Sequence, residues 1–109
     1  MIHLNIKPLS VNLAWQGRRY KTKEYIKYER DILLMLPKIN LPNSPFYIIL
    51  EVGFSNKLAD IDNCLKPCLD ILQKKYGFND RDIYALDIRK MIVPKGKEYI
   101  KIKIEHYGT

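Results

Sequence analysis

Membrane-spanning and secreted proteins carry features that this sequence of 109 residues lacks. No apolar run approaches the roughly 18 residues that a membrane-spanning helix needs, and the first residues show no signal-peptide pattern. Histidine occurs only at His3 and His106, near opposite ends of the sequence, where the two fit no metal-ligand spacing. We therefore expect one small domain, comprising residues 1–109, in the cytoplasm and without a membrane partner.

Cysteine is equally scarce, and its two occurrences do not make a disulfide framework. Cys64 and Cys68 lie four residues apart in a predicted helix, which places both thiols on one face of that helix. No histidine lies near them in the sequence to complete a zinc site. We expect two core thiols in a reducing compartment.

Acidic residues are outnumbered by basic ones, 12 against 19, which gives a net charge of +7. A small basic protein is attracted to polyanions, of which nucleic acid is the commonest in a cell. The same excess of charge also keeps a protein soluble, so both explanations stay open from charge alone. The hydrophobic fraction of 47% argues against a disordered chain.

The spacing of the apolar residues predicts an α+β domain with two main helices and a mixed sheet. Thr22 is the expected N-cap of the first helix, and Gly77 is the expected C-cap of the second. Pro67 is tolerable only in a first turn, whose amides have no helical acceptor, so we expect the second helix to begin shortly before it. The predicted elements are a strand at Ile2–Ile6, a turn at Gln16–Arg19 in a basic loop, a helix from Thr22 to Leu36, a central strand at Phe46–Phe54, a helix from Asp62 or Asn63 to Tyr76, and a hairpin of residues 83–93 and 98–106.

Acidic side chains stand on both sides of the second predicted helix. Asp60 and Asp62 come before it, and Asp80 and Asp82 come after it. Either of the first two could simply cap the helix, but together they could also hold a hard cation such as Mg²⁺. Lys66 lies four residues after Asp62 and could form an ordinary ion pair with it or contact a phosphate. If the return loop brings its carboxylate to the helix start, three acidic ligands and one lysine meet there.

Three stretches of this sequence resemble the RusA-type Holliday junction resolvases. The run from Asp60 to Leu72 resembles the signature D-x-D-N-x-x-K-P-x-x-D-x-L of that family. The stretch from Asn79 to Leu86 is similar to its D-D-x-x-I-x-x-L segment, and Pro8 to Asn12 is similar to its P-x-S-x-N segment. The resemblance covers nearly the whole chain, and its specific part is D-x-D-N-x-x-K-P.

The resemblance implies a RusA-like fold, a two-fold homodimer and Mg²⁺-dependent hydrolysis of phosphodiesters in branched DNA, at four-way junctions formed in recombination and repair. It implies that Asp60, Asp62 and Asp80 bind Mg²⁺, or Mn²⁺ in its place, and that Lys66 acts beside them. The sequence departs from the family at Asn79, where the family has an acidic residue. Strand register favours Asp80 as the third ligand, whereas counting from the end of the helix favours Asp82.

Basic residues of the loop and of the first helix could contact DNA phosphates, or the lysines could simply form a solvated helix face. The predicted DNA-binding residues are Asn12, Arg18, Arg19, Lys21, Lys23 and Lys27. Trp15 and Tyr20 could stack on exposed bases or pack at a dimer interface. Two alternatives to a resolvase stay open: a structure-selective or non-specific nuclease with the same site, and a DNA-binding protein whose acidic cluster only caps a helix.

Overall fold

Two helices cover one face of a four-stranded mixed sheet in the computed structural model. The structure describes residues 1–9, 15–16, 20–62 and 64–108; of residues 15, 16, 20 and 21 it describes the backbone. The elements are β1 (Ile2–Leu4), β2 (Trp15–Gln16), β3 (Tyr20–Lys21), α1 (Lys23–Met35), β4 (Phe46–Phe54), α2 (Leu65–Tyr76), a 3-10 turn (Asp80–Asp82), β5 (Ile83–Ile92) and β6 (Tyr99–His106). The predicted α+β class with a mixed sheet is confirmed. Among the described residues, no helix has the length and apolar character that a membrane crossing requires.

Helix α1 begins where the sequence predicted. The Thr22 hydroxyl accepts a hydrogen bond of 3.1 Å from the backbone N–H of Tyr25, which satisfies one amide of the first turn. Tyr25, Tyr28 and Ile32 form the buried stripe of the helix, and Tyr28 and Ile32 belong to the same core cluster as the sheet residues. The helix ends before Leu36, because Pro37 disfavours helical backbone in the residue that precedes it. The predicted N-cap and apolar stripe are both confirmed.

Strand β4 is the central strand, as its continuous apolar sequence predicted. It pairs in parallel with β5 on one side and antiparallel with β6 on the other. Ile48, Leu50 and Val52 point to the helices and are completely or almost completely buried. The core therefore lies between this strand and the two helices, and the alternate residues Tyr47, Ile49 and Glu51 on the opposite face are half-buried.

The predicted hairpin of β5 and β6 is wrong, because β4 lies between them in the sheet. The turn itself exists: the Lys97 N–H donates to the Pro94 carbonyl at 2.9 Å, and Gly96 adopts a φ of 91°. The Val93 N–H donates to the carbonyl of Phe54 at 2.8 Å, so the connection passes the end of β4. Alternation and turn residues identify strands, but they do not say which apolar strand separates them.

Helix α2 begins at Leu65, later than the sequence predicted, and Cys64 at its N-cap gives no side-chain hydrogen bond. The preceding turn is closed by the Leu65 N–H, which donates to the Asp62 carbonyl at 3.1 Å. Pro67 is the third residue of the helix, where its missing amide costs no helical hydrogen bond. Gly77 ends the helix with a φ of 73°, in the left-handed region that favours glycine.

The N-terminal strands are short. Strand β1 ends at Leu4 rather than at Ile6, because the Ile6 N–H donates back to the Leu4 carbonyl at 3.0 Å. Strands β2 and β3 form a separate two-stranded sheet in which Gln16 pairs with Tyr20. The turn predicted between these two residues lies outside the described part of the chain.

Candidate active site

One flank of α2 and the 3-10 turn frame an open depression of about 320 Å³. Its charged lining consists of Asp62, Lys66, Asp70 and Asp80, which is three carboxylates against one ammonium. Leu65, Leu69 and Gln73 complete it. The structure thus brings together three of the four predicted catalytic residues, from both ends of the predicted acidic region. Asp60 is exposed and is not among the residues that line the depression.

The periodicity of α2 explains this arrangement. Lys66, Asp70 and Gln73 follow one another at spacings of four and three, so they share one helix face. The opposite face carries Ile71 and Leu72, which are buried in the core. The hydrophobic side of the helix is thereby fixed against the sheet, and the polar side is presented to solvent.

Lys66 forms its ion pair with Asp70, at 3.4 Å, rather than with Asp62. The Lys66 side chain is 64% exposed and the Asp70 side chain is 36% exposed, so solvent reaches the pair. An exposed pair at this spacing stabilises a helix by only about 0.3–0.5 kcal/mol. The Lys66 ammonium is therefore free to exchange Asp70 for another anion at little cost.

Asp80 is held beside the depression by a side chain that the sequence did not single out. The Asp80 N–H donates to the Gln73 side-chain oxygen at 3.0 Å, while the Gln73 amide nitrogen donates to the Leu69 carbonyl at 3.2 Å. Gln73 therefore ties the return loop to α2. Asp82 does not line the depression, so Asp80 is the one that shares it with Asp62 and Lys66.

Asn79, where the sequence departs from the resolvase pattern, has a structural role. It is the N-cap of the 3-10 turn, and its side-chain oxygen accepts a hydrogen bond of 3.0 Å from the Arg81 N–H. An asparagine side chain commonly satisfies a backbone amide two residues on in this way. Asn79 therefore orders the backbone that carries Asp80.

The segment before α2 carries Asp60 and Asp62 in the open. Neither carboxylate accepts a hydrogen bond from another described residue. The helix-capping role that the sequence allowed for these two aspartates is therefore not observed. Upstream, the Asn56 side chain accepts from the Leu58 N–H at 2.9 Å and closes a tight turn. Lys90 reaches this segment from β5 and donates to its backbone carbonyls.

The carboxylate oxygens suit a hard cation such as Mg²⁺ in their chemistry. However, no three His, Cys, Asp or Glu side chains in the described part of the chain lie close enough together to hold a metal ion. Asp62 precedes the first turn of α2, whereas Asp80 is bonded to Gln73 near its end. At 1.5 Å per residue, the helix rises about 12 Å from Leu65 to Gln73. Convergence of Asp60, Asp62 and Asp80 on a shared ion stays a prediction.

A second open depression, of about 460 Å³, shares Leu69 and Asp80 with the first. It continues past Arg81 along the first residues of the edge strand β5. A larger depression of about 540 Å³ has no acidic residue in its lining, which consists of Lys38, Ile39, Asn40, Leu41, Lys75 and Tyr76. Its acidic lining, and not its size, distinguishes the first depression from this larger one.

The predicted DNA-binding residues are only partly within the described chain. Lys23 and Lys27 are exposed on α1, on the side away from its buried stripe. Lys21 lies in β3, but its side chain is not within the described part of the structure, and neither are the side chains of Trp15 and Tyr20. The remaining predicted residues, Asn12, Arg18 and Arg19, lie outside the described residues altogether.

Sequence reasoning missed Gln73 and Lys90 as partners of the acidic segments. A signal existed for Gln73, because it stands seven residues after Lys66 and hence on the same helix face. No comparable signal marks Lys90, which belongs to a strand whose neighbours the sequence did not reveal.

Neither protein-family models nor curated proteins match this sequence. The chemistry of the depression is therefore inferred from its own side chains and from the motif resemblance.

Proposed function

We propose that this protein is a Mg²⁺-dependent endodeoxyribonuclease, similar to the RusA-type resolvases, that cuts four-way DNA junctions with Asp60, Asp62, Lys66 and Asp80 as its catalytic residues. The observation that carries the proposal is the open depression lined by Asp62, Lys66 and Asp80. These residues come from different parts of the acidic motif, and α2 brings them to one surface. Recombination and repair are the processes such an activity serves.

Each side chain of the site has a separate role in the proposed reaction. Asp60, Asp62 and Asp80 would hold one or two Mg²⁺ ions, or Mn²⁺ in their place. When bound, such an ion activates a water molecule and stabilises the charge that develops on the attacked phosphate. Lys66 would leave its weak pair with Asp70 and donate to a phosphate oxygen. Gln73 would keep Asp80 at the depression through the hydrogen bond to its backbone N–H.

Phosphate binding is assigned to the basic surface formed by α1 and the segment before it. Lys23, Lys27 and Arg30 are exposed and follow at helical spacing over about 10 Å of α1. Asn12, Arg18, Arg19 and Lys21 would extend this surface. Each phosphate neutralised contributes about −0.9 to the slope of log K against log salt. We expect Lys27→Ala to flatten that slope by about one unit per lost contact and per subunit, without changing cleavage at saturating enzyme.

A four-way junction is resolved by matched nicks in two strands related by approximate two-fold symmetry. A two-fold homodimer with one site in each subunit meets that requirement. Sedimentation at micromolar concentration tests this part of the proposal: a dimer is expected, and a monomer would contradict the symmetry argument.

The proposal is tested by cleavage of a synthetic four-way junction in Mg²⁺ and in Mn²⁺, with each strand labelled in turn. Paired symmetric nicks are expected, and they should disappear when a chelator removes the metal. A linear duplex of the same arm sequence serves as the control and should stay intact. Equal cleavage of the duplex would indicate a broader nuclease with the same site. Binding without any cleavage in either metal would leave only a DNA-binding protein.

A further inference from the structure

A lysine from the edge strand β5 holds the segment that leads into the two exposed aspartates. The Lys90 ammonium donates to the backbone carbonyl of Lys57 at 2.8 Å and to that of Ala59. Ala59 is the residue directly before Asp60. Two hydrogen bonds from one side chain thus fix the backbone immediately upstream of the acidic pair.

The surroundings of Lys90 explain why its ammonium group donates hydrogen bonds to these carbonyls. Lys90 pairs with the buried Val52 in the parallel ladder, so its side chain starts on the helix side of the sheet. It is half-buried, and its nitrogen lies 6.0 Å from the centre of the Phe54 ring. An ammonium that loses part of its water must find other acceptors, which the two carbonyls supply.

The held segment is a compact turn. The Asn56 side chain accepts from the Leu58 N–H at 2.9 Å, and the Asn56 carbonyl accepts from the Ala59 N–H at 3.1 Å. Asn56 therefore closes the turn from within, while Lys90 attaches it to β5. The chain then runs through Asp60 and Asp62 into α2 with both carboxylates facing solvent.

We propose that Lys90 is a positioning residue of the catalytic site, which acts through Ala59 to set where Asp60 and Asp62 stand relative to the depression. This inference rests on the proposed function, since it assigns the two aspartates to metal binding. Lys90 touches neither the depression nor its lining residues in the described contacts. Its effect should therefore be on metal affinity and not on DNA affinity.

Three variants separate positioning from a general loss of charge or fold. Lys90→Met keeps the apolar stem and removes the donors, Lys90→Arg keeps donors of similar reach, and Lys95→Met removes one exposed charge from the turn after β5. For each variant we would measure junction cleavage against Mg²⁺ concentration, junction Kd and Tm. Loss of a residue that orients metal ligands typically costs about tenfold or more in metal affinity.

We expect Lys90→Met to raise the Mg²⁺ concentration for half-maximal cleavage by about tenfold, with an unchanged junction Kd. Lys90→Arg should restore most of the wild-type metal dependence, and Lys95→Met should match the wild type. A merely structural lysine would lower Tm without moving the metal dependence. Wild-type metal dependence in Lys90→Met, or an equal shift in Lys95→Met, would overturn the inference.

Amide hydrogen exchange provides a readout that does not need activity. Exchange at the amides of Leu58 and Ala59, which donate to Asn56 in the held turn, should accelerate in Lys90→Met, while the central strand β4 keeps its protection. If the wild type fails to cut any junction, the proposed function fails, and this exchange result still decides whether Lys90 fixes the segment. Should Lys90→Met not fold, Lys90→Gln takes its place, since the shorter side chain cannot reach both carbonyls. Unchanged exchange in the variant would refute the positioning role.

Discussion

Replacing Gln73 should release the return loop from α2. Gln73→Met keeps the length of the side chain but removes the acceptor that binds the Asp80 N–H at 3.0 Å. Asp80 is exposed, so water can replace the lost partner, and the net cost should be about 1 kcal/mol. That free energy corresponds to about a fivefold change in a local opening equilibrium. For a domain of this size it lowers Tm by roughly 4 °C.

The direct assay is hydrogen exchange at the Asp80 amide, followed by NMR in the wild type and in two variants. Gln73→Met should accelerate exchange at this amide about fivefold. Gln73→Glu, the matched control, retains an acceptor at the same distance and should keep most of the protection. Junction cleavage should fall with the protection, because the Asp80 carboxylate is less often beside the depression. An Asp80 amide that exchanges at the wild-type rate in Gln73→Met would refute the role assigned to Gln73.

Three further predictions concern the sheet and the core. In Gly53→Ala the new Cβ would lie 2.6 Å from a ring carbon of Tyr99, so we expect a loss of about 1–3 kcal/mol in the free energy of unfolding, measured by denaturant. The hydrogen bond from the Tyr99 hydroxyl, at 2.7 Å, is the main cause that lowers the pKa of Glu51. Because the pKa of Glu51 is lower in the folded than in the unfolded state, its ionised form stabilises the fold above the unfolded-state pKa, and this stabilisation is lost as pH falls. Tyr99→Phe should therefore raise the Glu51 pKa in an NMR titration and make the stability fall less at acid pH. An unchanged pKa would contradict this cause. Burial raises the pKa of Cys64 to about 11 and that of Cys68 to about 12. Because the thiols of the unfolded chain ionise first, the free energy of unfolding should fall as pH rises above about 8.5. Both thiols should react with a thiol reagent at pH 8 only after unfolding, and rapid reaction of the folded protein would contradict their burial.

Local chemistry was sufficient to predict the start of α1, the end of α2 and the central strand. Thr22 caps α1 because its hydroxyl satisfies a first-turn amide, and Gly77 ends α2 because it adopts a positive φ. The apolar run of β4 marks a strand buried between neighbours. Each of these features is decided within a few residues of chain, so each could be read before the fold was known.

Strand order and the partners of the acidic segments depend on contacts between distant residues. The sequence could not show that β4 separates β5 from β6, since a turn at Gly96 suits a hairpin equally well. The same limit hid Lys90, whose carbonyl partners at Lys57 and Ala59 lie more than thirty positions away. The acidic motif predicted Asp62 and Lys66 on one helix, whereas Asp62 lies in the turn before α2, and the position of Asp80 depends on its bond to Gln73.

We propose that the depression lined by Asp62, Lys66 and Asp80 is a metal-dependent nuclease site. Its most direct test is four-way junction cleavage in Mg²⁺ by Asp62→Asn, with junction binding measured on the same samples and Asp82→Asn as the matched control. We predict that Asp62→Asn abolishes cleavage, because an amide is a poorer ligand for Mg²⁺ than a carboxylate. Binding should survive or tighten, because one negative charge beside the phosphates is removed, and Asp82→Asn should still cut. Cleavage by Asp62→Asn at the wild-type rate would remove Asp62 from the mechanism and contradict the assignment of the site.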